Sequence, residues 1–427
     1  MHPEPEPVII IGAGVAGLTL AHSLQKQNIP FKIFERDASI SAKSGGWGLT
    51  IHWGLPALRE SLNADVLERI PETYVNKEAV RNGEDGRYQF FDLSSGEARY
   101  NIPAAERIRV SRMRLKGLLA EGLDIQWSKT VKDVESTEES VTVYFEDGTS
   151  CTGCILAACD GSRSRVRSIL YPSNYKNYKL PIRFLGATAH YTVEQAAQVR
   201  AIDPVFFQGT DSRTDTYLYF SFLDTPHNFE DSSDKYVCQI VVSWPFRPGF
   251  LGENEPLEVP QSHTDRVSLM KRLTATWAEP FRSLVHNLPD DNEAVCINLE
   301  DWIPEKGAHG TGRIALVGDA AHSMTMFRGE GANNALADVQ DFVNRLGPHL
   351  PKLDTSMSEA GSSSRPHEAN DTSFASIRAA IDAYEDEVNS RGIPGVLASR
   401  QACLDAHEYG RINDESPLVK RRIVMPL

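Results

Sequence analysis

The stretch Glu6–Asp37, EPVIIIGAGVAGLTLAHSLQKQNIPFKIFERD, decides the fold. Val8 to Ile11 is a β-branched run suited to a buried strand, and Gly12, Gly14 and Gly17 follow it as GxGxxG. Leu18 to Gln25 then carries apolar residues at helical spacing. Phe31 to Phe34 is the next strand, and Glu35 closes it, 18 residues beyond Gly17. The first glycine permits a tight turn, the second lets main chain approach a pyrophosphate, and the third lets the helix pack on the strand. The helix N-terminus faces the phosphates, and the carboxylate accepts ribose hydroxyls. An acidic residue at position 35 suits an unphosphorylated ribose, so the pattern implies FAD or NAD rather than NADP as the resident dinucleotide.

Beyond Asp37 the chain does not continue as a simple NAD dehydrogenase. A Gly-rich loop, ISAKSGGWGLTIHWGLPALRESL, leads into a helix, and IRVSRMRLKGLLAEGLDIQW comes after it. VKDVES and VTVYFEDGTS then read as the arms of a hairpin turning through Thr137, Glu138 and Glu139. A further strand ends in ACDGSRSRVRSIL, and a helix comes next. The expected fold is therefore α/β: a Rossmann-like domain, doubly wound but interrupted. In the last third, GDAAHSMTMFRGEGANNALAD (Gly318–Asp338) places very small residues where a strand feeds a helix, a pattern that lets main chain lie against a bound group.

Composition narrows the partners. The chain has 427 residues, 41% hydrophobic and 24% charged, with a net charge of −14, which argues against nucleic-acid and anionic-membrane partners. The length suggests two domains. The acidic MHPEPEP ahead of the first strand argues against a signal peptide. No stretch approaches the roughly 20 apolar residues of a membrane span, so a cytoplasmic protein is expected. Cys151, Cys154 and Cys159 form a CxxC-like cluster without further ligands, better read as small buried strand residues than as a metal site, so no metal is expected. Cys238, Cys296 and Cys403 are scattered, with no disulfide framework.

Three motifs stand in order: GAGVAG at 12–17, CDGSRSRVR at 159–167 and GDAAH at 318–322. Together they resemble the class A flavoprotein monooxygenases, the family typified by para-hydroxybenzoate hydroxylase, and among them the fungal secondary-metabolite enzymes. The resemblance implies FAD as cofactor, with Gly12, Gly14, Gly17 and Glu35, joined by the adjacent Arg36, as its binding fingerprint. It further implies Arg112 at the FAD phosphate and ribityl groups, Asp160 and Gly161 as the pair serving the pyrophosphate and pyridine nucleotide, and Asp319 on the ribityl chain. Gly48 would lie beside the isoalloxazine. Gly329, Gly331, Ala332 and Asn333 would present backbone N–H groups to its pyrimidine edge, from a helix starting at Gly331. Met326 stands where the family usually has a proline, and its soft side chain suits a larger pocket.

The resemblance gives FAD-binding residues 1–179 and 301–350 with a substrate-binding β-sheet domain (α+β) at 180–300, while composition marks a Ser-rich mobile loop at 351–374 and periodicity marks C-terminal helices at 375–427. Two such helices are expected, ASIRAAIDAYEDEVNSRG and PGVLASRQACLDAHEYG. In YLYFSF, Tyr217, Tyr219 and Ser221 share one face of a strand, opposite Leu218, Phe220 and Phe222. Tyr217 and Tyr219, with Gln239 on a second strand, are the candidates for substrate contact. His322, His190 and Met326 are the weak candidates for direct chemistry, because flavin-centred catalysis needs no dedicated nucleophile. The implied activity consumes NADPH or NADH and transfers one oxygen atom of O2 to an aromatic small molecule of phenol, polyketide or indole type. A Baeyer–Villiger oxygenase, an epoxidase, an oxidative decarboxylase and a flavin reductase or dehydrogenase remain alternatives on the same fold.

Overall fold

A computed structural model describes residues 5–42, 47–84, 86–102, 106–305, 307, 309–353 and 373–420. Most of the expected mobile loop at 351–374 lies outside these residues, as do the last seven positions of the chain. Within them, a five-stranded parallel sheet runs in the order Ile314–Leu316, Ile155–Ala158, Val8–Ile11, Phe31–Phe34, Ile125–Gln126. Val8 to Ile10 and Ile155 to Ala158 are completely buried, as expected for parallel strands covered on both faces. Helix Val15–Lys26 leaves the first strand directly, and helix Gly331–Leu346 packs beside it. The hairpin Val131–Ser136 with Val141–Phe145 forms antiparallel pairs and gains a third strand, Ser150–Gly153.

The second layer is a seven-stranded sheet in the order Ala294–Cys296, Ile182–Tyr191, Tyr236–Pro245, Tyr217–Asp224, Phe206–Thr210, Tyr88–Asp92, Ala98–Ile102. One face of it carries Leu218, Phe220, Phe222, Cys238, Ile240 and Val242 into a core shared with the helices His263–Leu273 and Phe281–His286. The other face looks toward the parallel-sheet layer. The expected boundary at residue 180 needs correction, because strands Tyr88–Asp92 and Ala98–Ile102 belong to this sheet although they precede the hairpin of the first domain. The sheet edge was free to recruit them because Tyr88–Asp92 pairs in parallel with Phe206–Thr210 and needs no local turn.

The C-terminal expectation also needs correction. One helix of 32 residues, Phe374–Asp405, runs through Pro394 where two helices were expected. Proline in a helix interior removes a hydrogen bond and crowds the preceding turn. Here Val388, Gly392, Val396 and Ser399 form one buried stripe across the interruption, and that burial holds both halves in line.

Candidate active site

Two cavities meet in the groove between the layers. One, of about 500 Å³, is lined by Gly12, Gly14, Glu35, Arg36, Arg112, Asp160 and Gly161. The other, of about 370 Å³, is lined by Gly48, Arg112, Tyr217, Tyr219, Gln239, Asp319, Met326, Gly329, Gly331 and Ala332, among others. Gly14, Arg112, Cys159 and Gly161 line both, so the two form one continuous cleft. It runs from the end of strand Phe31–Phe34 to the polar face of the seven-stranded sheet.

The Gly-rich turn is built as its spacing requires. Gly12 sits at φ +104°, and a Cβ there would lie 2.4 Å from the carbonyl oxygen of Cys159. A Cβ at Gly17 would lie 2.0 Å from the Gly12 carbonyl oxygen, so helix and turn touch main chain to main chain. At Gly14 the space is open, and the helix behind it has no side-chain cap. The Glu35 carboxylate accepts from the backbone N–H groups of Ala13 (2.8 Å) and Asp37 (2.9 Å), tying the turn to the end of the next strand. Arg36 is exposed beside it.

Asp160 is committed locally. Its carboxylate accepts from Ser164 Oγ at 2.5 Å and from the backbone N–H groups of Arg165 (2.7 Å) and Val166 (3.1 Å), fixing the start of helix Arg165–Leu170. Burial pushes its carboxyl above the usual range, and these hydrogen bonds oppose the shift. Gly161, at φ +82°, turns the chain past both cavities. Asp319 opens onto the cleft at the start of helix Asp319–His322. Its deep position raises its carboxyl pKa, and the charges of His322 and Arg112 pull the other way. The Arg112 guanidinium has no hydrogen-bond or ion-pair partner among the described residues and faces both cavities.

Helix Gly331–Leu346 starts where the sequence placed it, with no side-chain cap. The backbone N–H groups of Gly331 and Ala332 find no acceptor among the described residues, so the positive end of the helix is open to the cavity. Gly329, at φ +63°, makes the turn ahead of it.

Asn333 was expected to offer its backbone N–H, and its side chain has a role of its own. Its side chain is buried, accepts from the N–H groups of His52 (2.9 Å) and Gly54 (3.1 Å), and donates to the carbonyls of Thr50 and Gly329 (both 3.1 Å). It is a clamp between the helix start and the loop after strand Gly48–Ile51, and it is not a cavity-lining residue.

The histidine candidates lie outside the cleft. His322 is completely buried with Nε2 2.6 Å from Asp338 Oδ2, and Asp338 also accepts from Gly318 N (2.8 Å) and Arg391 (2.7 Å). The Asp338 charge raises the imidazole pKa against the opposing effect of burial. This network braces the GDAAH turn from behind. His190 is exposed near the end of strand Ile182–Tyr191, opposite Val237, and lines neither cavity. Met326, 42% exposed, sits at the cavity mouth in the turn Met326–Arg328.

Tyr217, Tyr219 and Gln239 all line the second cavity. The Tyr217 hydroxyl donates to the Gln208 side-chain carbonyl, the Gln208 amide donates to Tyr88, and the Tyr88 hydroxyl donates to the Leu418 carbonyl at 3.0 Å. Sequence reading missed Tyr88, Gln208, Phe206, Trp47 and Arg109, which share this wall. The alternation in RYQFFD ahead of the turn residues SSG was a usable strand signal for Tyr88. Arg109 carried none, since arginines stand at 107, 109, 112 and 114 alike.

A family model described as FAD binding domain matches residues 6–199. A protein of Arthroderma benhamiae described as a probable FAD-dependent monooxygenase is 43% identical over 98% of this chain and 96% of its own length. The FAD-dependent monooxygenase dbaB of Emericella nidulans is 40% identical over 78% of this chain and 84% of its own. Among solved structures, 2,6-dihydroxypyridine-3-hydroxylase from Arthrobacter nicotinovorans superposes with a TM-score of 0.71 at 18% identity, covering 98% of this chain and 97% of that one. The chain belongs to the FAD-dependent monooxygenases of the FAD-binding-domain family.

Proposed function

We propose that this enzyme uses NADH or NADPH as reductant and places one oxygen atom of O2 on an aromatic small molecule held in the second cavity. One observation carries the reading. The polar–aromatic face of the seven-stranded sheet, with Tyr217, Tyr219 and Gln239, lines the same cavity as the open helix start at Gly331 and Ala332.

The cleft fits the dinucleotide. Bare main chain at Gly14 and an Arg112 with no partner among the described residues suit a pyrophosphate, while Glu35 and Arg36 stand at the far end for the nucleoside. Asp319 takes the middle of the cleft, for a polyol chain, and Gly48 borders the far cavity. Asp160 acts through its turn, holding Gly161 in place.

When bound, FAD supplies electron transfer from the pyridine nucleotide and the activation of O2. The protein supplies the rest. The N–H groups of Gly331 and Ala332, open to the cavity, would stabilise negative charge on a bound ring system. The aromatic wall orients a flat substrate, and the two packed layers exclude water from it.

The test is anaerobic flavin reduction by NADH and NADPH, with and without phenols, anthraquinones and indoles, followed by aerobic turnover under 18O2. A ligand that both accelerates reduction and leaves with one 18O supports the reading. Fast reduction that no ligand alters, with no 18O in any product, makes the enzyme a reductase.

A further inference from the structure

Arg109 lies in strand Ile108–Ser111, directly opposite Thr50 of strand Gly48–Ile51. It is 8% exposed and lines the second cavity. Nη1 donates to Thr50 Oγ1 at 2.9 Å and Nη2 to Ser221 Oγ at 3.0 Å, and both partners are neutral. Nε is buried without a partner, and no carboxylate pairs with this guanidinium among the described residues. An arginine has five N–H donors, so three remain. A buried cation with only neutral partners is unfavourable until a counter-ion arrives.

The surroundings are arranged around this charge. A Cβ at Gly48 would sit 2.5 Å from Nη2, so glycine there leaves the guanidinium its room. The Phe206 ring lies 5.7 Å from the guanidinium carbon, and Tyr219 stacks on Phe206 at 6.1 Å and 28°. Ser221 in turn donates to Gln239 Oε1 at 3.3 Å. Arg112 and the helix start at Gly331, the positive groups that suit the dinucleotide, line the same cavity but share no hydrogen bond with Arg109. Of the two partners of Arg109, Ser221 is on the seven-stranded sheet and Thr50 is on the strand paired with its own.

We propose that Arg109 is a specificity-determining residue whose counter-ion is the substrate. It holds a negatively charged oxygen, carboxylate or ionised phenol, of an aromatic ring packed against Phe206 and Tyr219. The inference rests on the reading of this cavity as the substrate site.

The test titrates the FAD-loaded enzyme at pH 8 with two matched pairs, following the flavin absorbance: 3-hydroxy-2-naphthoate against its methyl ester, and 4-nitrophenol against 4-nitroanisole. A charge-assisted hydrogen bond predicts that the anion of at least one pair binds about tenfold tighter than its neutral partner or better. That preference falls to about threefold or less in Arg109→Gln and largely survives in Arg109→Lys. The pair that responds identifies carboxylate or phenolate as the source of the charge. A wild-type enzyme with no preference overturns the proposal, and so does a preference that survives Arg109→Gln. It falls equally if Arg109→Gln changes only the flavin reduction potential, since the counter-ion is then the reduced flavin. Where Arg109→Gln does not retain FAD, the pH profile of 4-nitrophenol binding to wild type decides. Binding that strengthens as the phenol ionises supports the proposal, and pH-independent binding overturns it. Failure to find 18O in any product would sink the monooxygenation reading while leaving the anion preference readable.

Discussion

Single positions in this enzyme differ in how openly the sequence announces them. Gly12 and Gly17 were legible because only the absence of a side chain lets main chain meet main chain there, Gly14 because bare main chain is left open beside them, and Glu35 because its spacing follows from one helix and one strand. The side-chain role of Asn333 was not legible, since its hydrogen bonds reach a loop about 280 residues away in sequence and no local pattern encodes them. Removing that clamp leaves the His52 and Gly54 N–H groups without their acceptor. Asn333→Ala is therefore expected to cost about 3 kcal/mol in denaturant unfolding, with the effect visible before any ligand is added. His407 gives a pH prediction. Its Nδ1–H donates to the Cys403 carbonyl (2.7 Å), its Nε2 accepts from Ser243 Oγ (2.8 Å), and burial lowers its pKa to about 4. The unfolded chain holds a proton there that the folded chain refuses between pH 6.5 and about 4. Its neutral form thus supports full stability above about pH 6.5, and acidification toward pH 4 removes up to about 3 kcal/mol. Unfolding midpoints across that range should fall more steeply in wild type than in His407→Asn.

At the scale of elements, those built around the glycine-rich turns were the readable ones, while the cavity-lining strands Tyr88–Asp92 and Phe206–Thr210 were less so. The hairpin turning at Thr137–Glu139 follows from local residue choice, and the helix starting at Gly331 was implied by the family resemblance. The long helix Phe374–Asp405 did not, because Pro394 is a strong local stop signal and the force overriding it is tertiary burial. The same helix backs the GDAAH turn. A Cβ at Gly392 would lie 2.9 Å from His322 Cδ2 and 3.0 Å from its Cβ, and His322 has no room to retreat while it pairs with Asp338. Gly392→Ala should lower stability by about 1–3 kcal/mol and weaken FAD retention in parallel. Loss of stability with unchanged FAD affinity would show that the turn is braced by something other than His322.

For the whole molecule, the two-layer plan was legible and its chain path was not. Sequence order suggested a substrate domain inserted after residue 179, whereas two of its strands, Tyr88–Asp92 and Ala98–Ile102, are contributed from inside the first segment. Long-range pairing of that kind leaves no trace in period or turn chemistry. No helix among the described residues is long and apolar enough to cross a membrane. Because the cleft is walled by both layers, a ligand filling it holds them together. Stripping FAD should lower the melting temperature, and restoring it at about a hundred times its dissociation constant should return about 2.7 kcal/mol. Equal melting of the FAD-free and FAD-loaded forms would show that the layers are held independently of the ligand.

The cleft draws its walls from Gly12, Glu35, Arg112, Gly161, Asp319 and Gly331, positions spread over most of the polypeptide. During synthesis the glycine turn and the rest of the first cavity, up to Gly161, leave the ribosome early, but the second cavity is not walled until residue 331 has emerged. Closure of the whole cleft is therefore a late event in the life of each molecule, and a ribosome that stalls upstream of the GDAAH segment leaves behind a chain with only half of it.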